Sequence, residues 1–393
     1  MKRHWLIGPS VTFLNHGSFG ACPRVVLEVQ GELRARMESD TMRFFVRELD
    51  PLLDQARAAL GGLVGADPDD LAFVPNATAG VNAVVRSFAL DAGDDVLTTD
   101  HEYNACRNAL THAATVAGAR VVVARVPFPV ASDEEIVDAI VREVGPRTRL
   151  ALVDHVTSPT GLVWPIARIV HALEERGVAT VVDGAHAPGM VPLDLRAIGA
   201  SYYTGNCHKW LCAPKGAAFL WARRDRQAGL RPTSISHGFN SPRRDRSQFR
   251  LDFDWTGTLD PTAALSVPAA IRFLSGALPG GIEAVMASNR AKALAARSVI
   301  AAAFGSALPA PDSMIGSLAA VRLPDSPGEP SKSPLYADAL QEALYAEHRI
   351  EVPIVPWPAA PHRLVRISAH LYNEPAEYER LVGALRALLA AGH

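Results

Sequence analysis

Lysine is the scarce residue. The chain has 393 residues and 39 basic side chains, yet its only lysines are Lys2, Lys209, Lys215, Lys292 and Lys332. Chemistry that needs an amine therefore has few candidates. Cysteine is nearly as rare: Cys22, Cys106, Cys207 and Cys212. The last two do not form a CxxC, and no second pair completes a zinc site, so neither a disulfide framework nor structural zinc is expected. Reduced thiols in a cytoplasmic protein are the expectation. Net charge is also lacking, since 39 basic and 41 acidic groups leave −2. No single-sign field points to nucleic acid or an anionic membrane. The run Arg243-Arg244-Asp245-Arg246 reads as a solvated loop. No apolar run approaches the ~18 residues of a membrane span. Nor do the first residues carry the apolar stretch and cleavage site of a signal peptide. What is present is 48% hydrophobic residues and 20% charged ones, enough for a large globular core.

From about residue 70 to 222 short apolar, β-branched runs alternate with helical periodicity. Strands are expected at 71–74, 95–98, 121–123, 150–153, 179–182, 202–204 and 217–220, with helices near 79–90, 102–117, 133–144 and 165–176. This alternation predicts an α/β fold with a mostly parallel sheet, whose chemistry gathers after the strand ends. Residues 223–265 break the pattern and read as a long ordered excursion. Beyond Pro261 the chain turns Ala- and Leu-rich, and helix is expected over about 263–305. Pro324 to Pro334 reads as a surface loop. A helix near 335–347, strands near 350–355 and 364–368 and a last helix near 375–390 complete a smaller α+β unit.

Four segments follow predicted strands. Tyr203-Thr204-Gly205-Asn206-Cys207-His208-Lys209-Trp210 places a lysine on a strand-exit turn among apolar neighbours. Partial desolvation there lowers an amine's pKa and suits a Schiff-base nucleophile; the plain alternative is a surface lysine. Val182-Asp183-Gly184-Ala185-His186 ends a central strand on an acid. A buried Asp needs a partner, which a protonated pyridine nitrogen supplies; a helix cap or a metal ligand is the alternative. Asn76-Ala77-Thr78 opens a helix whose free N–H groups suit a phosphate, or is an ordinary N-cap. Asp100-His101-Glu102-Tyr103 offers an aromatic able to stack on a planar ring, or a core tyrosine. A different class stays open as well. Asp154, His155, Asp183, His186 and His208 are metal-ligand types at strand ends and could serve a metal-dependent hydrolase.

Taken together, these segments resemble the class V aminotransferase superfamily of pyridoxal phosphate enzymes, and within it the isopenicillin N epimerase-like branch. Phe13-Leu14-Asn15-His16-Gly17-Ser18-Phe19-Gly20, Asn76-Ala77-Thr78, Val182 to His186, Asn206 to Trp210 and Trp255-Thr256-Gly257-Thr258 match in order, and the likeness extends to Arg366-Ile367-Ser368. It implies fold type I: a large cofactor domain over 21–262 with a mostly parallel central sheet, a smaller α+β domain over 263–393, and an N-terminal segment, 1–20, near the active site. The resemblance further implies that Lys209 binds pyridoxal 5'-phosphate covalently and moves the Cα proton. Asp183 would pair with the ring nitrogen, His186 would lie near the phenolic oxygen, and Tyr103 would stack on the ring. Asn76, Ala77, Thr78, Asn206 and His208 would serve the phosphate end. Thr258 would reach the cofactor of a second subunit, implying a homodimer with shared sites. Asn15, His16, Gly17 and Ser18 would line the substrate side, and Arg366 would grip the α-carboxylate of an amino acid.

Two departures matter. Ser158, in Thr157-Ser158-Pro159, stands where many fold type I enzymes place an Asn beside the cofactor. No cysteine follows Cys212, which excludes a desulfurase that accepts sulfur on a C-terminal-domain thiol. The expected reaction is Cα activation and β-elimination of an S-substituted cysteine conjugate, as in relatives of antibiotic biosynthesis. Epimerisation is the alternative and needs a second base, for which Tyr103, His101 and the thiols are candidates. Transamination is a further one.

Overall fold

The computed structural model describes residues 1–328 and 338–393. Its strands are β1 (Thr12–Phe13), β2 (Leu71–Val74), β3 (Asp95–Thr99), β4 (Arg120–Ala124), β5 (Thr148–Asp154), β6 (Ala179–Asp183), β7 (Tyr202–Asn206), β8 (Ala218–Ala222), β9 (Leu318–Leu323), β10 (Ile350–Glu351), β11 (Ile354–Pro356) and β12 (Arg363–Ser368). Seven form one sheet in the order β2-β8-β7-β6-β5-β3-β4. Within it β8 pairs antiparallel with both neighbours, and the remaining pairs are parallel. All five residues of β6 are buried. A strand covered on both faces reads as a continuous apolar run, as Ala179-Thr180-Val181-Val182 does. The expected strands and the four helices between them are all present: Ala77–Ser87, Asn104–Ala117, Asp133–Arg142 and Ile166–Glu174.

The chain moves outward from β3 to β4, then returns to place β5 on the other side of β3. Such a reversal leaves a crevice at the carboxyl ends of the strands flanking it. Glu102, Asp154 and Asp183 follow or end β3, β5 and β6, so the topology delivers three acids to one place.

The C-terminal part builds a three-stranded antiparallel sheet, β11-β12-β9, behind the helix Gly281–Phe304 and the last helix, Pro375–Ala390. β1 pairs in parallel with β10, so the N-terminal segment is laid along this C-terminal part. Among the elements that escape sequence reading are the helices Arg24–Ser39 and Leu49–Val64 and the strands β1 and β9. The excursion after β8 contains the helix Gln248–Asp254, which buries Phe249, Leu251 and Phe253. The expected helix near 335–347 appears as Ala339–His348; residues 335–337, Lys332 and the part of the 324–334 loop from 329 onward lie outside the described residues. Among the described residues no single helix is long and apolar enough to cross a membrane.

Candidate active site

Lys209 follows β7 and is half-buried. Its Nζ lies 3.1 Å from His186 Nε2. Burial pulls its pKa down to about 8, with Arg366 adding to the fall and Asp183, Cys106 and Asp154 opposing it. With that value about a tenth of the amine is uncharged at pH 7, and that fraction can attack a carbonyl. His186, after β6, is itself kept neutral by burial and by the facing Lys209 and Arg366.

Asp183 ends β6 at 3% exposure. Its Oδ1 accepts from Ala185 N at 2.9 Å and its Oδ2 from the Cys106 thiol at 3.0 Å. Around it stand two more buried acids. Asp154 is its register partner across β5 and β6. Burial and the neighbouring acids hold both Glu102 and Asp154 well above the usual carboxylate range. Glu102 Oε2 and Asp154 Oδ2 are buried without a hydrogen-bond partner among the described residues. A basic ring nitrogen fits this acid-rich floor, because a cation is what it lacks.

Asn76 caps the helix Ala77–Ser87 through Ala79 N at 2.8 Å. Asn206, at the end of β7, accepts from Ala77 N at 2.8 Å and ties that helix start to the lysine strand. Thr78 is half-buried, and its hydroxyl lies 4.0 Å from the Cys106 sulfur. Gly80 lets the helix approach β7, since a Cβ there would sit 2.4 Å from Thr204 Oγ1. His208 donates Nδ1–H to Ala217 O at 3.0 Å, and burial lowers its pKa to about 4. Its Nε2 therefore offers a lone pair, and donates to a phosphate only when protonated. A lysine amine, a carboxylate with an open lone pair and a helix start bearing a hydroxyl make up the donor set of pyridoxal phosphate, so the residues fit that cofactor.

Arg366, on β12, is buried. It donates to Ser158 O at 2.5 Å, Ser158 Oγ at 3.2 Å and Ser18 Oγ at 3.1 Å. With Tyr103, which is 39% exposed, it lines a cavity of about 760 Å³ whose wall continues through Arg107, Ile354 and Trp357. The rest of the N-terminal motif supports Arg366 from outside the cavity. Asn15 bonds Glu351 and Ser18, and Gly17 N donates to Ser368 Oγ. His16 lies fully buried behind the lysine turn: its Nε2–H donates to Lys209 O at 3.0 Å, and Nδ1 accepts from Tyr372 at 2.7 Å. Thr258 stands exposed on the loop after the helix Gln248–Asp254, and none of these contacts involves it.

Of the five candidate metal ligands, Asp154 and Asp183 lie side by side, but the three histidines turn to other partners. His155 faces Tyr203, His208 faces Ala217, and His186 faces Trp210 and Lys209. The set His16, Cys212 and His370 does bring ligand atoms together. Its two rings, however, are stacked 4.3 Å apart at 21°, which no ion in the plane of both rings can satisfy. His101 is buried between Thr160 and Val126 O. All four cysteines are buried. Sequence reasoning passed over Glu102 and Trp210 and left Cys106 unranked. The signal for the first was its place between a strand end and Tyr103.

An amine of lowered pKa, a buried acid and a buried arginine gathered on an α/β fold define the class of site. The aminotransferase class-V model matches residues 13–381, and the chain belongs to that family of pyridoxal phosphate enzymes. The chain is 39% identical to an isopenicillin N epimerase of Amycolatopsis lactamdurans, over 97% of this chain and 96% of the relative. It is 32% identical to a probable chloroplastic L-cysteine desulfhydrase of Arabidopsis thaliana, over 98% and 84%. Among solved structures it resembles the cystine C–S lyase C-DES in complex with cysteine persulfide. The TM-score there is 0.78 at 22% identity, over 96% of this chain and 97% of the other.

Proposed function

We propose that this enzyme cleaves the Cβ–S bond of an S-substituted cysteine conjugate. The observation that carries the reading is the asymmetry of bases. Lys209 is an amine of lowered pKa close to the buried acids; of the other candidate bases, His101 and the thiols are buried in hydrogen bonds or core, and Tyr103 alone lines the cavity. Elimination needs one base; inversion at Cα needs two.

Bound at Lys209 and Asp183, pyridoxal phosphate supplies a ring that stabilises negative charge at Cα. Arg366 clamps the α-carboxylate, and the Ser18 and Ser158 contacts hold its guanidinium in place. Lys209 Nζ takes the Cα proton. The Cβ–S bond then breaks, its electron pair leaves on sulfur, and the thiolate is protonated. Water hydrolyses the remaining enamine and imine to pyruvate and ammonia. Desulfhydrases among the relatives agree with this class of bond.

The identity to isopenicillin N epimerases favours a second reading, inversion at Cα with Tyr103 on the opposite face. Incubation with S-alkyl cysteines and with isopenicillin N in heavy water separates the two. Pyruvate and free thiol support elimination. Deuterium at Cα with loss of optical purity and no thiol overturns it in favour of epimerisation, and a keto acid retaining sulfur overturns both. The working unit is proposed to be a homodimer: Met42, Val46 and Leu259, next to the Thr258 loop, expose apolar side chains that a second copy would cover.

A further inference from the structure

Trp210 follows the lysine directly and is 1% exposed. Its indole Nε1–H donates to His186 Nδ1 at 3.3 Å, and the other imidazole nitrogen, Nε2, faces Lys209 Nζ at 3.1 Å. Indole is only a donor, so Nδ1 must accept. A neutral imidazole that accepts at Nδ1 carries its proton on Nε2. That N–H then points at Nζ, and only an amine with a free lone pair can receive it. An ammonium would set two donors against each other.

We infer that Trp210 is a positioning residue: its indole N–H fixes the His186 tautomer whose Nε2–H holds Lys209 as the uncharged, nucleophilic amine. Asp183, Asp154 and Cys106 face Lys209 and favour the ammonium, while Arg366 and burial oppose it. Lys209, Arg366 and His16 face His186 and keep it neutral. Within this near-balance, an N–H donor at hydrogen-bond distance favours the amine. If the indole N–H is removed, His186 is free to move its proton to Nδ1. Nε2 then accepts from an ammonium, and the charged lysine gains a partner. The inference goes beyond the reaction proposed above and rests on the cofactor assignment alone.

The test is the pH dependence of pyridoxal phosphate capture by the apoenzyme, read from the visible band of the bound cofactor, with Lys209→Ala as the control that forms no such band. Wild type should show a midpoint near the lysine's value of about 8. In Trp210→Phe the midpoint should rise by about one pH unit, slowing capture about tenfold at neutral pH, as expected for a lost hydrogen bond that discriminates charge. Capture at alkaline pH should be unchanged. An unmoved midpoint, or equal slowing at every pH as packing damage would give, overturns the proposal. Nitrogen-15 NMR of histidine-labelled wild-type apoenzyme gives an independent reading that needs no variant. A proton on His186 Nε2 is expected, and a proton on Nδ1 overturns the inference. Pyruvate may fail to appear in the heavy-water experiment without altering either readout, so the two claims fail separately.

Discussion

Arg57 and Arg250 are as deeply buried as Asp154 and Asp183, but their company differs. Arg57 meets Asp254 bidentately at 3.0 and 2.9 Å, and Arg250 meets Asp254, Asp54 and Asp69 at 3.1, 2.5 and 2.6 Å. Every carboxylate in that network finds a guanidinium. Around Asp183 three carboxyls crowd together, and among the described residues none of them forms an ion pair. Burial and the neighbouring acids instead push Glu102 and Asp154 well above the usual carboxylate range. The paired cluster joins the excursion helix Gln248–Asp254 to the helix Leu49–Val64 and holds shape. The cluster without ion pairs is the one placed to respond to pH and to whatever binds there.

The sharpest break of this comparison is Lys209→Ala. Turnover should fall by roughly 10³-fold or more, the scale of a lost general base, with an unchanged melting temperature; retained turnover would sink the assignment. Next is the structural side. Asp254→Ala leaves the buried Arg57 with only the more distant Asp54, at 3.7 Å, and the Leu71 carbonyl, and should cost about 3 kcal/mol in urea unfolding. A loss under about 1 kcal/mol would place the network with ordinary surface pairs.

The third prediction concerns pH. Burial lowers His16 to about 3 and His101, His155 and His208 to about 4, and holds His186 and His370 well below their ordinary value. The unfolded chain therefore binds more protons than the native one below about 6.5, and stability rises with pH there. Urea midpoints should drop steadily as pH falls from about 6.5 towards 4, and a flat profile would contradict neutral burial. Glu102 acts with the opposite sign and is the smallest effect. Its folded pKa is raised, so its contribution is fully present below about 4.5 and is lost as pH rises. Glu102→Gln should match wild type at pH 4 and be more stable at pH 8. An unchanged pH slope would mean that Glu102 is already ionised in the fold.

The strands were legible because β-branched runs such as Ala179-Thr180-Val181-Val182 have no other use, and the lysine was legible because so few exist. Asp183 was readable from its place at the end of a buried strand. The helix Arg24–Ser39 was not, since its apolar residues are sparse and only Val26, Gln30 and Met37 are buried. The run Arg243 to Arg246 looked solvated. In the fold Arg243 reaches Asp50 and Arg246 reaches Asp54, nearly 200 positions earlier in the chain. Such pairings have no local signature. The tautomer of His186 was equally hidden, because it depends on an indole whose direction only packing decides.

The short strand β1 pairs with β10, Arg380 holds Thr12 Oγ1, and Asn373 grips Phe13 O just before the turn that brings Ser18 to Arg366. Residues outside the cavity thereby set the angle at which Arg366, the proposed carboxylate clamp, is offered. A laboratory search for new selectivity has a second place to look, in the splice between the two ends of the chain.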